Sequence, residues 1–250
     1  MYKATAVRHH GAVSPDERPP FLTAEWRHLA MLNFVVDPAV LAPHVPAGTD
    51  LDFWDGKAFV SVVGFRFLRT SVLRVPVPFH RDFDEVNLRF YVRREAPDGE
   101  IRRGVVFLRE LVPRRAIATI ARWVYNEPYV ATPMRSVIAH GDARPRLRYS
   151  WRLDETWHGL EAEASAEPSV PGEGSESQFI TEHYWGYTRQ RDGSTVEYEV
   201  AHPSWRVWPA QGTLAPDAHA RRLVPGLNGP PHSVLIADGS PVTVFRPRRL

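Results

Sequence analysis

Asn87, Arg89 and Tyr91 alternate with Val86, Leu88, Phe90 and Val92, and a two-residue period puts the three polar side chains on one face of a strand. Such a face is either solvent or the wall of a polar cavity; turned inward, its amide, guanidinium and phenol converge on a ligand. Glu85, just before them, is a general base if burial raises its proton affinity, and otherwise a solvated carboxylate. Glu110 is followed by adjacent Arg114 and Arg115. Two guanidiniums can grip a planar anion or stabilise an enolate while a glutamate moves a proton. Their structural alternative is to bond Glu110, Glu127 or carbonyls and fix a strand-to-helix turn. Glu85, Glu110, Arg114 and Arg115 are the candidates for catalysis.

Glu182, His183 and His202 supply carboxylate and imidazole, the usual groups of acid/base and metal chemistry. Adjacent helical residues diverge by about 100°, so Glu182 and His183 are badly placed to grip one ion, and structural histidines are the alternative. No H-E-x-x-H, G-x-S-x-G, P-loop or dinucleotide fingerprint is present, so neither a metal nor a cofactor is expected. Trp185, Trp205 and Trp208 either line an apolar pocket or pack a core.

The elements that must position these groups are short and mostly extended. Ala58 to Leu68 reads as a buried strand, and Asp98-Gly99 turns the Val86–Val92 strand into a second one, Gly104 to Leu111. Arg144 to Leu153 alternates arginines with apolar residues, a half-buried strand whose outer face is solvated or tracks an anion. Thr195 to His202 alternates again, and Ala237-Asp238-Gly239-Ser240 reads as a turn between two closing strands, His232–Ala237 and Pro241–Phe245. Asp37-Pro38 and Ser175 with Gln178 start short helices, and Ala116 to Tyr125 has helical spacing. Glu167 to Ser177 is the most loop-like internal stretch.

Composition sets the limits. The 250 residues are 43% hydrophobic and 24% charged, enough for a substantial core, with a net charge of only +2 and no cysteine, so disulfides and thiolate chemistry are excluded. No apolar run is long enough for a membrane span, and residues 1–10 lack a secretory core, which makes a cytoplasmic location the expectation. Of 31 basic side chains only Lys3 and Lys57 are lysines. Arginine richness without any nucleic-acid-binding motif argues against a nucleic-acid partner. Residues 1–20 read as a loose arm and 21–250 as one α+β domain, predominantly antiparallel β and closed or nearly closed into a barrel.

Asn87 to Tyr91, Phe179-Ile180-Thr181-Glu182-His183-Tyr184 and His202-Pro203-Ser204-Trp205, in this order, resemble the polar motifs of the YqjF-like family of unknown function. Leu41 to Asp52 resembles that family's early segment. The likeness runs from about Phe21 to Phe245. It implies an acetoacetate-decarboxylase-like β-barrel with a few short helices, and self-association into a homo-oligomer. It also implies a ligand site at Asn87, Arg89, Tyr91, Glu182, Tyr184, His202 and Trp205. Arg109 to Arg115 is similar to the acetoacetate decarboxylase segment in which a glutamate and a proline precede two lysines, the first forming a Schiff base. Here Arg114 and Arg115 take both places, and a guanidinium cannot become an amine nucleophile.

The expectation is a barrel that binds a small carboxylate or other anion. The alternatives are a non-covalent lyase, decarboxylase-like enzyme or isomerase using the arginine pair and a glutamate, and a nucleic-acid or protein-interaction module.

Overall fold

The computed structural model describes residues 18–76, 81–113 and 126–250 apart from 141–143. Arg114, Arg115, the helix expected over 116–125 and most of the N-terminal arm lie outside them.

The fold is mostly antiparallel sheet. Fifteen strands are described: β1 (Leu22–Val36), β2 (Asp50–Leu51), β3 (Ala58–Val72), β4 (Val75–Pro76), β5 (Phe83–Glu95), β6 (Ile101–Val112), β7 (Tyr129–Ala131), β8 (Met134–His140), β9 (Pro145–Leu153), β10 (Thr156–Ala164), β11 (Trp185–Arg189), β12 (Thr195–Ala201), β13 (Val207–Ala215), β14 (Ser233–Val244) and β15 (Arg248–Arg249). The helices are α1 (Pro38–Leu41), α2 (Glu176–Thr181) and α3 (Ala218–Leu223). Asp37 caps α1 and Ser175 caps α2, each by accepting a hydrogen bond from a first-turn amide, as the polar starts of these helices require.

Strands β12, β11, β6, β5, β3, β1 and β14 follow one another in hydrogen-bonded order, and β12 pairs again with β14, closing the ring. The seams are unequal. β1 and β3 pair over nearly their full lengths, whereas β11 meets β6 through Trp185↔Gly104 and Gly186↔Val105, and β12 meets β14 through Val200↔Val244 and Ala201↔Thr243. Strands β8, β9, β10 and β13 form a second antiparallel layer against the outside of the ring.

Each ring strand therefore has two buried faces. On β5, Val86, Leu88, Phe90 and Val92 enter the core between the layers with Leu147, Tyr149 and Leu160. The opposite face looks into the ring, where Phe65, Phe67, Phe83 and Tyr91 belong to a second cluster. Gly64 lets the layers close up: a Cβ there would sit 2.5 Å from the Tyr149 ring. The arginines of β9 face solvent, but Arg148 pairs with Glu161 at 2.9 Å and Arg146 with Glu163 at 3.0 Å across the β10 ladder, which neutralises the basic track.

The expected hairpin turn at 237–240 is not one. β14 runs unbroken from Ser233 to Val244 along β1, and Gly239 bends the strand with φ +78° instead of reversing it. The Asp-Gly pair mimics turn chemistry because bends and turns share the need for positive φ. A Cβ on Gly239 would lie 1.9 Å from the Trp26 carbonyl oxygen, whereas one on Gly99, at φ +82°, would meet nothing within 4 Å. Gly99→Ala should cost about 1 kcal/mol of stability through φ alone. Gly239→Ala should cost at least about twice that, because backbone must also move; urea denaturation of both variants checks this.

Candidate functional site

The ring encloses a cavity of about 150 Å³ lined from all seven of its strands, room for a molecule the size of a benzene ring or a little more. Its walls are aromatic and aliphatic, among them Trp26, Phe65, Phe67, Phe83, Phe107 and Trp205. Into this apolar space the chain places Glu85, Asn87, Arg89, Glu110, Glu127, Tyr129, Tyr198, His183 and His202.

Strand geometry explains how. Glu85, Asn87 and Arg89 share the inward face of β5, opposite Phe65, Val63 and Ser61 of β3. Glu110 sits across from Asn87 on β6, and a bulge separates that pair from Arg89↔Phe107. The extra residue reverses the parity of β6, so Val105, Phe107 and Glu110 all line the cavity, while Arg109 turns outward to pair with Asp217 at 2.7 Å. β7 runs parallel to β6 and sets Tyr129 beside Glu110.

Three carboxyl groups are thereby buried together: Glu85, Glu110 and Glu127 are 2%, 1% and 6% exposed. The Tyr129 hydroxyl donates to Glu85 Oε2 at 3.2 Å and Asn87 Nδ2 to Glu85 Oε1 at 3.3 Å. Tyr198 and Thr188 hydroxyls donate to Glu127. Glu110 reaches the Tyr129 hydroxyl, but its Oε2 has no partner, nor has Asn87 Oδ1. Burial raises the Glu85 pKa to about 8, against the Asn87 bond and with the Glu127 charge, and that of Glu127 to about 7. Glu110 is pushed well above the carboxylate range by burial and by its two acidic neighbours. These are proton-holding acids near neutral pH, the state an apolar pocket imposes on carboxyls without counter-ions.

Among the described residues, the positive charge in the cavity is Arg89. Its Nη2 donates to the Ile180 carbonyl at 3.2 Å, its Nε is buried without a partner, and among the described residues no carboxylate lies within ion-pair distance. Beside it, at the end of α2, His183 lines the cavity with its Nε2 3.2 Å from Asp52 Oδ2.

The other residues singled out in the sequence divide. His202 and Trp205 line the cavity and stack at 4.3 Å, and Trp205 Nε1 is held by Ser240 at 2.9 Å. Tyr91 shares the inward face but lies beyond the lining, its hydroxyl bonded to Ser61 at 2.6 Å. Tyr184 also lies beyond it, packed on His202 at 4.8 Å. Glu182 points away and accepts from Ser204 at 2.7 Å and Gln178 at 3.1 Å. Trp185 lines the cavity, and Trp208 packs against the core between the layers. Tyr129, Tyr198 and His183 were not among the binding candidates. Only their position beside strand ends and within alternating runs carried a signal, and spacing alone does not separate an inward tyrosine from core packing. Lys57 lies in a turn over the Trp54 ring, 3.5 Å from Asp55, away from the cavity. Among the described residues no group of His, Asp and Glu is arranged to hold a metal ion, and no helix is long and apolar enough to cross a membrane.

The carboxyls fix a pH signature. With folded pKa values above the unfolded ones, Glu85 and Glu127 stabilise the fold fully below about 4.5, and that contribution is lost as pH rises through about 7 to 8. His183 and His202, lowered to about 4 by burial, act with opposite sign between about 4 and 6.5. Above 6.5 the glutamates act alone, so Tm should fall between pH 6.5 and 8.5, and Glu85→Gln should flatten the slope in scanning calorimetry.

Comparison with known proteins follows the same outline. The chain is similar to MppR, an enduracididine biosynthesis enzyme solved with pyruvate, at TM-score 0.67 and 14% identity over 96% of this chain and 93% of that one. It is similar to acetoacetate decarboxylase from Legionella pneumophila at TM-score 0.64 and 13% identity, covering 99% and 98%. An acetoacetate decarboxylase-like enzyme from Sphingomonas wittichii RW1 matches at TM-score 0.60 and 13% identity, covering 99% of each. These likenesses establish an acetoacetate-decarboxylase-like fold. In sequence the chain is 27% identical over 204 residues to the uncharacterized protein YqjF of Bacillus subtilis (strain 168), 79% of this chain and 81% of that one. With residues 23–241 matching its profile, the chain belongs to the DUF2071 family, described as uncharacterized conserved protein (COG2071).

Proposed function

We propose that this barrel binds a small carboxylate with an apolar body, and that Arg89 is its counter-charge. The observation that carries this reading is the half-buried Arg89 guanidinium in an aromatic cavity, with a buried, unpartnered Nε and, among the described residues, no carboxylate within ion-pair distance. A sequestered charge is costly without a partner, and the nearby acids hold protons, so an incoming anion supplies what the chain does not. Arg114 and Arg115, the pair expected to bind the anion, lie outside the described residues; within them Arg89 supplies the cation. MppR, complexed with pyruvate, is a barrel of this fold holding a small carboxylate. No imine chemistry is proposed: the sequence has only Lys3 and Lys57, the first outside the described residues and the second in an outer turn.

Phenylacetate should bind the wild type more tightly than phenylacetamide in titration calorimetry. Arg89→Gln should cost the acid about 2 kcal/mol, roughly 30-fold in Kd, and leave the amide unchanged. Equal affinity for acid and amide would sink the reading.

A second reading adds turnover, because Glu85 sits next to the anion position with a pKa of about 8. A group so poised can take a proton from carbon next to a carbonyl and return one from solvent. Under it, phenylpyruvate in D2O should exchange its C3 protons faster with the protein present, and Glu85→Gln should abolish the acceleration by proton NMR. Wild-type exchange at the background rate leaves binding alone.

A further inference from the structure

His183 is the second polar fixture of the cavity wall, and its surroundings define which of its atoms is left for a ligand. β2 pairs along β5, and the Asp52 amide continues that pairing by donating to the Tyr91 carbonyl at 3.0 Å. This puts the Asp52 carboxylate against the end of α2. Arg103 Nε bonds Asp52 Oδ2 at 2.6 Å and His183 Nε2 lies 3.2 Å from the same oxygen. The imidazole is clamped between Tyr91, at 4.7 Å, and Phe179, at 5.0 Å between ring centres. Its side chain is 1% exposed, and Nδ1 is buried with no partner.

An ionised Asp52, held at about 2 because bonds from His183 and Arg103 outweigh its burial, accepts the hydrogen bond from Nε2–H. Burial first, and then the guanidiniums of Arg103 and Arg89, oppose a second proton on the ring. The imidazole is then neutral, with the Nδ1 lone pair as its free site, a carboxylate–imidazole pair in which the acid fixes the tautomer.

We infer that His183, oriented by Asp52, accepts a hydrogen bond from the ligand, and that the ligand class is a 2-hydroxy acid with an apolar or aromatic side chain. This rests on the carboxylate reading above. Arg89 bonds the carbonyl of Ile180, three residues before His183, and its charge bears directly on the imidazole. A carboxylate on Arg89 would lie near the imidazole, and a hydroxyl on its adjacent carbon is the donor that Nδ1 lacks. An acid without the hydroxyl leaves Nδ1 buried and unpaired, the situation in which sites discriminate best.

Mandelate and phenylacetate share a phenyl ring and a carboxylate and differ by that hydroxyl. Titration calorimetry should give one enantiomer of mandelate at least about tenfold the affinity of phenylacetate. His183→Phe, which keeps the ring packing on Tyr91 and Phe179, should bring the two acids to equal affinity without weakening phenylacetate. If that variant does not fold, ¹⁵N-histidine NMR of the wild type decides. His183 should be the Nε2–H tautomer, and its Nδ1 signal should move upfield with mandelate and stay in place with phenylacetate. Equal affinities with an unmoved Nδ1 signal overturn this inference and leave the carboxylate site standing. Failure of both acids to bind overturns both.

Discussion

Charge without a counter-charge is the constraint around which this molecule is arranged. Among the described residues, three carboxyls and one guanidinium project into a space whose walls are mainly aromatic, and Arg89 forms no ion pair with any of them. Acids can escape the cost of burial by keeping a proton, and the neighbourhood of Glu85, Glu110 and Glu127 imposes that outcome through mutual repulsion as well as dehydration. A guanidinium has no such escape. Among the described residues, the asymmetry turns a cluster of opposite charges into protonated acids around the Arg89 cation, a different surface from the one a count of charges suggests.

Sheet irregularities hold that arrangement. The bulge on β6 aims Glu110 inward and Arg109 outward, so neighbouring residues of opposite charge serve different layers. On β1, residues Arg27 to Ala30 span a second register shift in which His28 takes φ 56°. It keeps Trp26, Leu29 and Met31 all on the cavity side. Tyr149 from the outer layer donates to the His28 carbonyl at 2.7 Å, using the backbone group that the irregularity leaves over.

Much of this was legible beforehand. The alternation of β5 placed Asn87 and Arg89 on a common face, and the ordered motifs around Asn87, Phe179 and His202 identified the fold. The two-residue period could not say how far along the inward face the cavity extends, so Tyr91 was grouped with residues it only supports. Nor could spacing detect parity changes at bulges, which are decided by the partner strand. Glu182 and His183 show the limit most clearly. Helical divergence was the ground for separating them, yet the helix ends at Thr181, before both, and the contact that holds His183 inward comes from Asp52, about 130 positions away in the chain.

The ring closes least firmly around the β11–β12 hairpin, which meets each neighbour through only two residue pairs. What fastens it instead is Glu197, fully buried on β12, gripped by Arg94 from β5, Arg102 from β6 and Arg248 from β15. Hairpins joined by short ladders swing free at lower cost than the staves beside them. Tyr198, on this hairpin, is also the residue that bonds Glu127. One short hairpin thus bears on the proton affinity of an acid inside the ring, and a single buried glutamate ties it to the strands around it.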